Sequence, residues 1–153
     1  MSDTMVVPEK LTALLEAFDG ITDTEERMSM LASYAGKYRE VPQSIAHRPF
    51  PEGARVPFCE SEAFVWAIPG PGGTLALHFA VENPSGISAK ALAAILTQTL
   101  SGARAEEIAA VDPDIVTRLF RQNISMGKGM GLMGIVQRVR DLARATLRGK
   151  STP

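Results

Sequence analysis

Residues 63–81 read AFVWAIPGPGGTLALHFAV, and this stretch decides the fold. Two runs rich in aromatic and aliphatic residues flank residues 69–73, PGPGG, a composition that favours reversal of the chain. In the second run the large apolar residues occupy every second position: Leu75, Leu77, Phe79 and Val81. Because side chains alternate between the two faces of a strand, these residues share one face. The sequence therefore predicts an antiparallel hairpin.

Two helices and a long loop are predicted before the hairpin. Apolar residues recur at helical spacing after Pro8, and Asp19-Gly20 ends that pattern. Asp23 and Glu26 form a capping signature for a second helix. Its apolar face is expected to hold Met28, Leu31, Ala32, Ala35 and Tyr38. Beyond it, four prolines favour an extended surface loop: Pro42, Pro49, Pro51 and Pro57.

The chain after the hairpin reads as helical. Ser85 or Ser88 is expected to cap the first helix there, and Asp112-Pro113 matches an N-cap followed by proline at the first helical position. The longest helical pattern covers residues 132–147. Its arginines are expected on a solvated face: Arg138, Arg140, Arg144 and Arg148. Together these patterns predict an α+β fold, in which a small antiparallel β-sheet packs against helices.

Length and charge limit the kind of protein this chain can be. Its 153 residues suit one domain, so residues 1–153 are expected to form a single domain. The 16 Lys+Arg balance 17 Asp+Glu, so neither a nucleic acid nor an anionic membrane is indicated as a partner. The first residues lack the features of a signal peptide, and no apolar run reaches membrane-spanning length. With an unpaired cysteine, this predicts a cytoplasmic protein.

Cys59 is the only cysteine, and it lies where a polar, proline-marked loop passes into the first strand. It has no partner for an intramolecular disulfide, and with His47 and His78 it falls short of the usual zinc ligand count. His78 also falls on the polar face of its strand, which favours a solvated or edge position. Two interpretations of Cys59 remain open: a buried structural thiol, or a thiolate that performs nucleophilic or sulfur-exchange chemistry.

Residues 129–134, GMGLMG, match the glycine fingerprint of dinucleotide-binding sites letter for letter. That motif works between a strand and a helix of a βαβ unit, whereas here a helix precedes it and too little chain follows. Nucleotide binding is therefore not expected. The glycines are interpreted instead as allowing the backbone to turn into the last helix, whose free N–H groups could hold an anion or a partner's carboxylate.

With these elements in order, the chain resembles the SufE family, sulfur acceptors for cysteine desulfurases in iron–sulfur cluster assembly. The resemblance covers roughly residues 11–147 and rests on four short matches in order: Val56-x-x-Cys59-x-Ser61; Phe64 or Trp66 near the family's aromatic strand residue; residues 85–92; and Ile124-Ser125 with Lys128 and Gly131-Leu132. The chain departs from the family where Phe58 replaces a common glycine, where Glu60 and Glu62 replace amides, and where Lys128 replaces an arginine.

The resemblance implies a SufE/IscU-like fold over residues 1–153, with Cys59 as the sulfur acceptor. It also implies a cysteine desulfurase of the SufS or CsdA type and an iron–sulfur scaffold as partners, with Phe58, Glu60 and Lys128 as candidate contacts. Pyridoxal phosphate would belong to the desulfurase, so no cofactor is expected on this chain. Phe58 is expected to cover the thiol.

Two other functions remain open. The first is a non-catalytic interaction domain with an inert thiol. The second is a cysteine hydrolase that uses His47 or His78 as its base, although no sequence pattern pairs either histidine with Cys59.

Overall fold

A two-stranded antiparallel sheet and six α-helices make up the described part of the chain, residues 7–149 of a computed structural model. The elements in chain order are α1 (Glu9–Asp19), α2 (Thr24–Ala35), β1 (Ala63–Pro69), β2 (Leu75–Val81), α3 (Ile87–Leu100), α4 (Ala105–Ala109), α5 (Ile115–Phe120) and α6 (Met126–Gly149). Short 3-10 turns occupy Glu52–Ala54, Pro71–Gly73 and Arg121–Asn123. The α+β prediction is confirmed.

The predicted hairpin forms, with Ala63 opposite Val81 and Pro69 opposite Leu75. Gly72 and Gly73 turn the chain with φ angles of 70° and 79°, a conformation that suits glycine because it has no Cβ. The alternating apolar residues of β2 are buried in the main core with side chains from α3 and α6. One face of the sheet therefore packs on helices.

The proline-marked loop covers the other face of the sheet. Its Phe50 ring lies 5.2 Å from the ring of Phe64 and 5.4 Å from that of Trp66, measured between centroids. The Arg48 guanidinium holds this loop in place by donating hydrogen bonds to the carboxylates of Glu40 and Glu82 at 2.8 and 2.9 Å. The predicted loop exists, but it is a packed layer rather than a free connection.

A buried arginine that the periodicity did not predict joins three helices. Arg27 is only 2% exposed, and its guanidinium lies where the chain leaves α1 and α5. It donates four hydrogen bonds of 2.6–3.0 Å to backbone carbonyls: those of Phe18, Ile21, Arg118 and Leu119. Since carbonyls near helix C-termini carry partial negative charge, these bonds offset the loss of hydration of the cation.

The predicted face of α2 is partly wrong. Leu31 is buried as expected, but Met28 is 54% exposed and Tyr38 lies beyond the end of the helix at Ala35. The Tyr38 hydroxyl instead accepts a hydrogen bond of 2.9 Å from the backbone N–H of Val81. Tyr38 thus packs against the hairpin, because the chain after α2 turns back toward the sheet.

Two predicted helix starts are shifted. The N-cap position of α3 is Gly86 rather than Ser85 or Ser88, and that of α5 is Asp114 rather than Asp112. The Asp112 carboxylate accepts the Asp114 backbone N–H at 2.8 Å, so it stabilises a turn just before the helix. Both shifts are two residues or fewer, which is within the usual fraying of helix ends.

The long final helix is confirmed, but its arginines are not all solvated. Arg138 donates to the carbonyl of Gly53 at 2.5 Å, and Arg140 donates to that of Ala109 at 3.3 Å. These bonds join α6 to the 3-10 turn before the hairpin and to α4. Arg144 and Arg148 are exposed, so the predicted solvated face holds only for the last turns of α6.

Candidate functional site

Cys59 lies in a short loop that is closed at its base. The backbone N–H of Val56 donates to the carbonyl of Ala63 at 2.8 Å, which brings the two ends of the loop together. The N–H of Glu62 donates to the carbonyl of Cys59 at 3.0 Å, forming a turn within the loop. We call residues 57–62 the cysteine loop. Its chain path is fixed from both ends, with Cys59 between them.

The segment that follows β2 holds the far side of the cysteine loop. The backbone N–H groups of Glu82 and Asn83 donate to the carbonyls of Glu62 and Ser61 at 3.1 and 3.2 Å. The Asn83 side-chain amide donates to the carbonyl of Glu60 at 3.0 Å. These bonds fix Glu60, Ser61 and Glu62, whereas no such bond in the described chain holds Phe58.

The thiol of Cys59 is buried beneath helix α6. Cys59 is 7% exposed and belongs to the main apolar core. A Cβ atom added at Gly131 would lie 3.6 Å from the Cα of Cys59 and 3.8 Å from its Sγ. At Gly134 it would lie 3.5 Å from the Cγ1 of Val56. Glycines at these two positions let the cysteine loop lie directly against the helix.

This arrangement corrects the interpretation of residues 129–134. They do not turn the chain into the last helix, because α6 already begins at Met126 and continues through all of them. Gly131 and Gly134 lie three residues apart and so point to the same side of the helix. Their function here is close packing between a helix and a loop.

Phe58 does not cover the thiol, contrary to expectation. Its side chain is 100% exposed, and its backbone has a φ of 59°. This is the left-handed region, which is uncommon for bulky residues. Burial of Cys59 therefore comes from α6 and from the core, while the Phe58 ring points into solvent.

Glu60 and Lys128 are the other two predicted contacts. Glu60 is exposed within the cysteine loop, and Lys128 is half-buried in the first turn of α6. Lys128 is three residues from Gly131, so the two are neighbours on the helix surface. Phe58 and Glu60 are thus the chain neighbours of Cys59, and Lys128 lies one helical turn from Gly131, which packs against Cys59. Whether they touch a partner stays a prediction.

The two histidines lie elsewhere in the fold, away from the thiol of Cys59. His47 approaches the carbonyl of Arg48 at 3.2 Å, and His78 pairs with Trp66 on the loop-covered face of the sheet. Burial lowers the pKa of His78 below its usual value. Among residues 7–149, no hydrogen bond joins either histidine to Cys59, and no cluster of three potential metal ligands occurs.

The structure contains an apolar groove at the start of α6 that was not predicted from the sequence. It has a volume of about 430 Å³ and is lined in part by Val116, Ile124, Met126, Met130 and Met133. Met126 and Met130 are exposed, although they occur at the helical spacing that usually marks a core face. Exposed apolar side chains grouped in this way are typical of interaction surfaces.

The sequence matches the SufE family, described as the Fe-S metabolism associated domain, over residues 12–143. The chain belongs to this family. A solution structure of a hypothetical protein from Thermus thermophilus is similar to this SufE-family fold, with a TM-score of 0.73 and 28% sequence identity. The match covers 94% of this chain and 99% of the other.

No curated protein matches the sequence of this SufE-family protein. Within residues 7–149, no helix is both long enough and apolar enough to cross a membrane. Membership of the family associates the protein with iron–sulfur metabolism.

Proposed function

We propose that Cys59 accepts sulfur from a persulfide on a cysteine desulfurase and passes it to an iron–sulfur scaffold. The observation that carries the proposal is the position of the chain's only thiol. It lies in a loop whose base is closed by the Val56–Ala63 hydrogen bond and whose sulfur is held against a glycine surface of α6. Such a loop can present and withdraw a sulfur atom without disturbing the hairpin.

The transfer is a thiol exchange between two cysteines. Cys59 loses its proton to solvent, and the resulting thiolate attacks the terminal sulfur of the donor persulfide. A bond forms between the Cys59 Sγ and that sulfur, while the bond to the donor cysteine breaks. The donor leaves as a thiolate that takes up a proton. Cys59 ends as a persulfide, and no external oxidant or reductant is consumed.

The buried position of Cys59 suits the carrier stage of this reaction. A persulfide on an exposed loop would meet small thiols in solution, which cleave it by the same exchange chemistry. A sulfur beneath α6 is shielded from such encounters, since Cys59 is only 7% exposed. Transfer then requires the cysteine loop to leave α6 when a donor or an acceptor is bound.

The partners follow from the family and from thiol chemistry. We propose a desulfurase of the SufS or CsdA type as donor, with its own pyridoxal phosphate, and no cofactor on this chain. Because the chain has an unpaired thiol, we propose that it works in a reducing compartment, the cytoplasm. Glu60 and Lys128 are proposed contacts with the donor because Glu60 follows Cys59 in the cysteine loop and Lys128 lies one helical turn from Gly131, which packs against Cys59.

The test is stimulation of the cognate desulfurase, with L-cysteine as substrate and a reductant to release the sulfur. Wild type is expected to stimulate turnover and, in a parallel reaction without reductant, to gain the mass of one sulfur atom on Cys59. Cys59→Ser should do neither and should keep the fold, because serine is close in size to cysteine. The double variant Cys59→Ser/Glu25→Cys is the control, since it carries a thiol at an exposed position of α2.

Two results would contradict the proposal. Undiminished stimulation by Cys59→Ser would show that the thiol is not the acceptor, which leaves the non-catalytic interaction domain. Equal stimulation by the double variant would show that any thiol on the surface suffices. A cysteine hydrolase would instead require a base, and the positions of His47 and His78 supply none near Cys59.

A further inference from the structure

Phe58 has two features that disfavour it in the free protein. Its ring is 100% exposed, so it gains nothing from apolar burial. Its backbone has a φ of 59°, a conformation that glycine adopts more easily than a bulky residue. Neither the core nor the thiol depends on the ring, since α6 and the core bury Cys59. The fold therefore offers no reason for phenylalanine at this position.

The left-handed backbone keeps the ring on the outside of the cysteine loop. Phe58 and Cys59 are consecutive, with Cα atoms about 3.8 Å apart, yet one side chain is buried and the other is exposed. The carbonyl oxygen of Phe58 faces α6, where a Cβ at Gly131 would lie 3.8 Å from it. Met130, which precedes Gly131, and Met126, one turn earlier, are also exposed. Phe58 is the most exposed of the large apolar side chains in residues 7–149.

We propose that Phe58 is an anchor that inserts into an apolar pocket on the sulfur donor, beside the donor's persulfide. The inference rests on the proposed function. A sulfur–sulfur bond of about 2.05 Å must form at Cys59, so the donor surface has to reach the cysteine loop and cover the adjacent residue. The occupant is therefore the desulfurase, and its pocket must be apolar and large enough for an aromatic ring. The ring becomes buried only in the complex. Phe58 therefore contributes to affinity for the desulfurase, whereas Cys59 carries out the sulfur transfer.

The test separates binding of the acceptor from sulfur transfer. The cognate desulfurase is loaded with L-cysteine and titrated with wild type, Phe58→Ala, Phe58→Leu and Ile68→Ala. Ile68 is an exposed apolar residue of β1, about 17 Å along the strand from Ala63, and serves as the matched control. Phe58→Ala is expected to raise the half-maximal acceptor concentration by about tenfold or more, with maximal turnover unchanged. Phe58→Leu should recover most of the loss, and Ile68→Ala should behave as wild type.

Two further measurements remove a purely structural explanation. Phe58→Gly relieves the left-handed strain, so its midpoint of thermal unfolding should rise by about 2–4 °C while its affinity for the desulfurase falls as in Phe58→Ala. Alkylation of Cys59 by iodoacetamide should stay within about twofold of wild type in both variants, because the ring does not cover the thiol.

The outcomes distinguish the two proposals. If Cys59→Ser abolishes transfer but Phe58→Ala titrates as wild type, the anchor is wrong and the sulfur-acceptor function stands. If Cys59→Ser has no effect, the proposed function fails and the anchor fails with it. Dimerisation of the free chain that Phe58→Ala abolishes would also overturn the anchor, because the ring would then belong to an interface between two copies.

Discussion

Gly131→Ala is expected to tighten the cysteine loop on α6. The added Cβ would lie 3.6–3.8 Å from three atoms of Phe58 and Cys59, distances of ordinary van der Waals contact. At about 0.1–0.2 kcal/mol for each contact, the closed loop gains roughly 0.5 kcal/mol, which makes opening about twofold rarer. Replacement of glycine inside a helix adds about 1 kcal/mol of stability. The unfolding midpoint should therefore rise by about 3 °C, while alkylation of Cys59 slows by about twofold.

Gly131→Leu should have the opposite effect on the thiol. Atoms beyond Cβ would enter the space that Cys59 fills, and overpacking of this kind costs about 1–3 kcal/mol. Opening of the cysteine loop relieves that cost, so alkylation should accelerate by roughly four- to eightfold. The assay is the rate of carboxamidomethylation by iodoacetamide at neutral pH, followed by intact mass. Cys59 is the only thiol, so each addition reports on this site alone.

Gly127→Ala is the matched control for both variants. It lies on the same helix, and a Cβ there would meet nothing within 4 Å. Its alkylation rate should equal that of wild type. Identical rates for wild type, Gly131→Ala and Gly131→Leu would refute the reasoning, because they would show that α6 does not control access to the sulfur.

Three further predictions concern other parts of the molecule. Arg27→Met should destabilise the fold by about 3 kcal/mol or more in urea unfolding, because four backbone carbonyls, three of them in buried hydrogen bonds, lose a charged donor. Burial lowers the pKa of His78, so the stability that neutral His78 contributes is present above about pH 6.5 and is lost as the pH falls through the lowered pKa. His78→Gln should therefore lose less stability than wild type between pH 7.5 and 5, and equal losses would contradict this. Lys128→Glu should weaken desulfurase binding at low salt without changing Cys59 alkylation, whereas Lys10→Glu, a charge reversal on α1, should leave binding unchanged.

The fold could be predicted from the sequence where its signals are local. Alternation at Leu75, Leu77 and Phe79 reports on one strand, and the PGPGG turn fixes how that strand meets its neighbour. Helical spacing likewise identifies α1 and α6, because a helix buries one stripe regardless of what covers it. The predicted helix starts were shifted by one or two residues. Ser85, Ser88 and Asp112 are all residue types that can cap a helix, and this preference does not select between neighbouring positions.

The site could be predicted only in part, because its geometry depends on contacts between distant residues. Cys59 was identified from its position at the edge of a loop, but its burial depends on Gly131, which is 72 positions later in the chain. The glycines of α6 carry no local sign of a loop packed against them. Phe58 was expected to cover the sulfur, but no sequence pattern indicates the left-handed backbone that keeps its ring on the outside.

Burial of Cys59 does not conflict with a function that needs the sulfur outside. The cysteine loop can open while its base stays closed, because the Val56–Ala63 hydrogen bond lies outside residues 57–62. Opening that moves only residues 57–59 also keeps the hydrogen bonds that hold Glu60, Ser61 and Glu62. What this movement removes is chiefly the burial of one small side chain, worth about 1–2 kcal/mol. That free energy corresponds to an open fraction of roughly 3–15%. In the remaining closed population the sulfur is shielded from solution thiols, whereas a bound desulfurase that supplies the same 1–2 kcal/mol makes the open form as populated as the closed one.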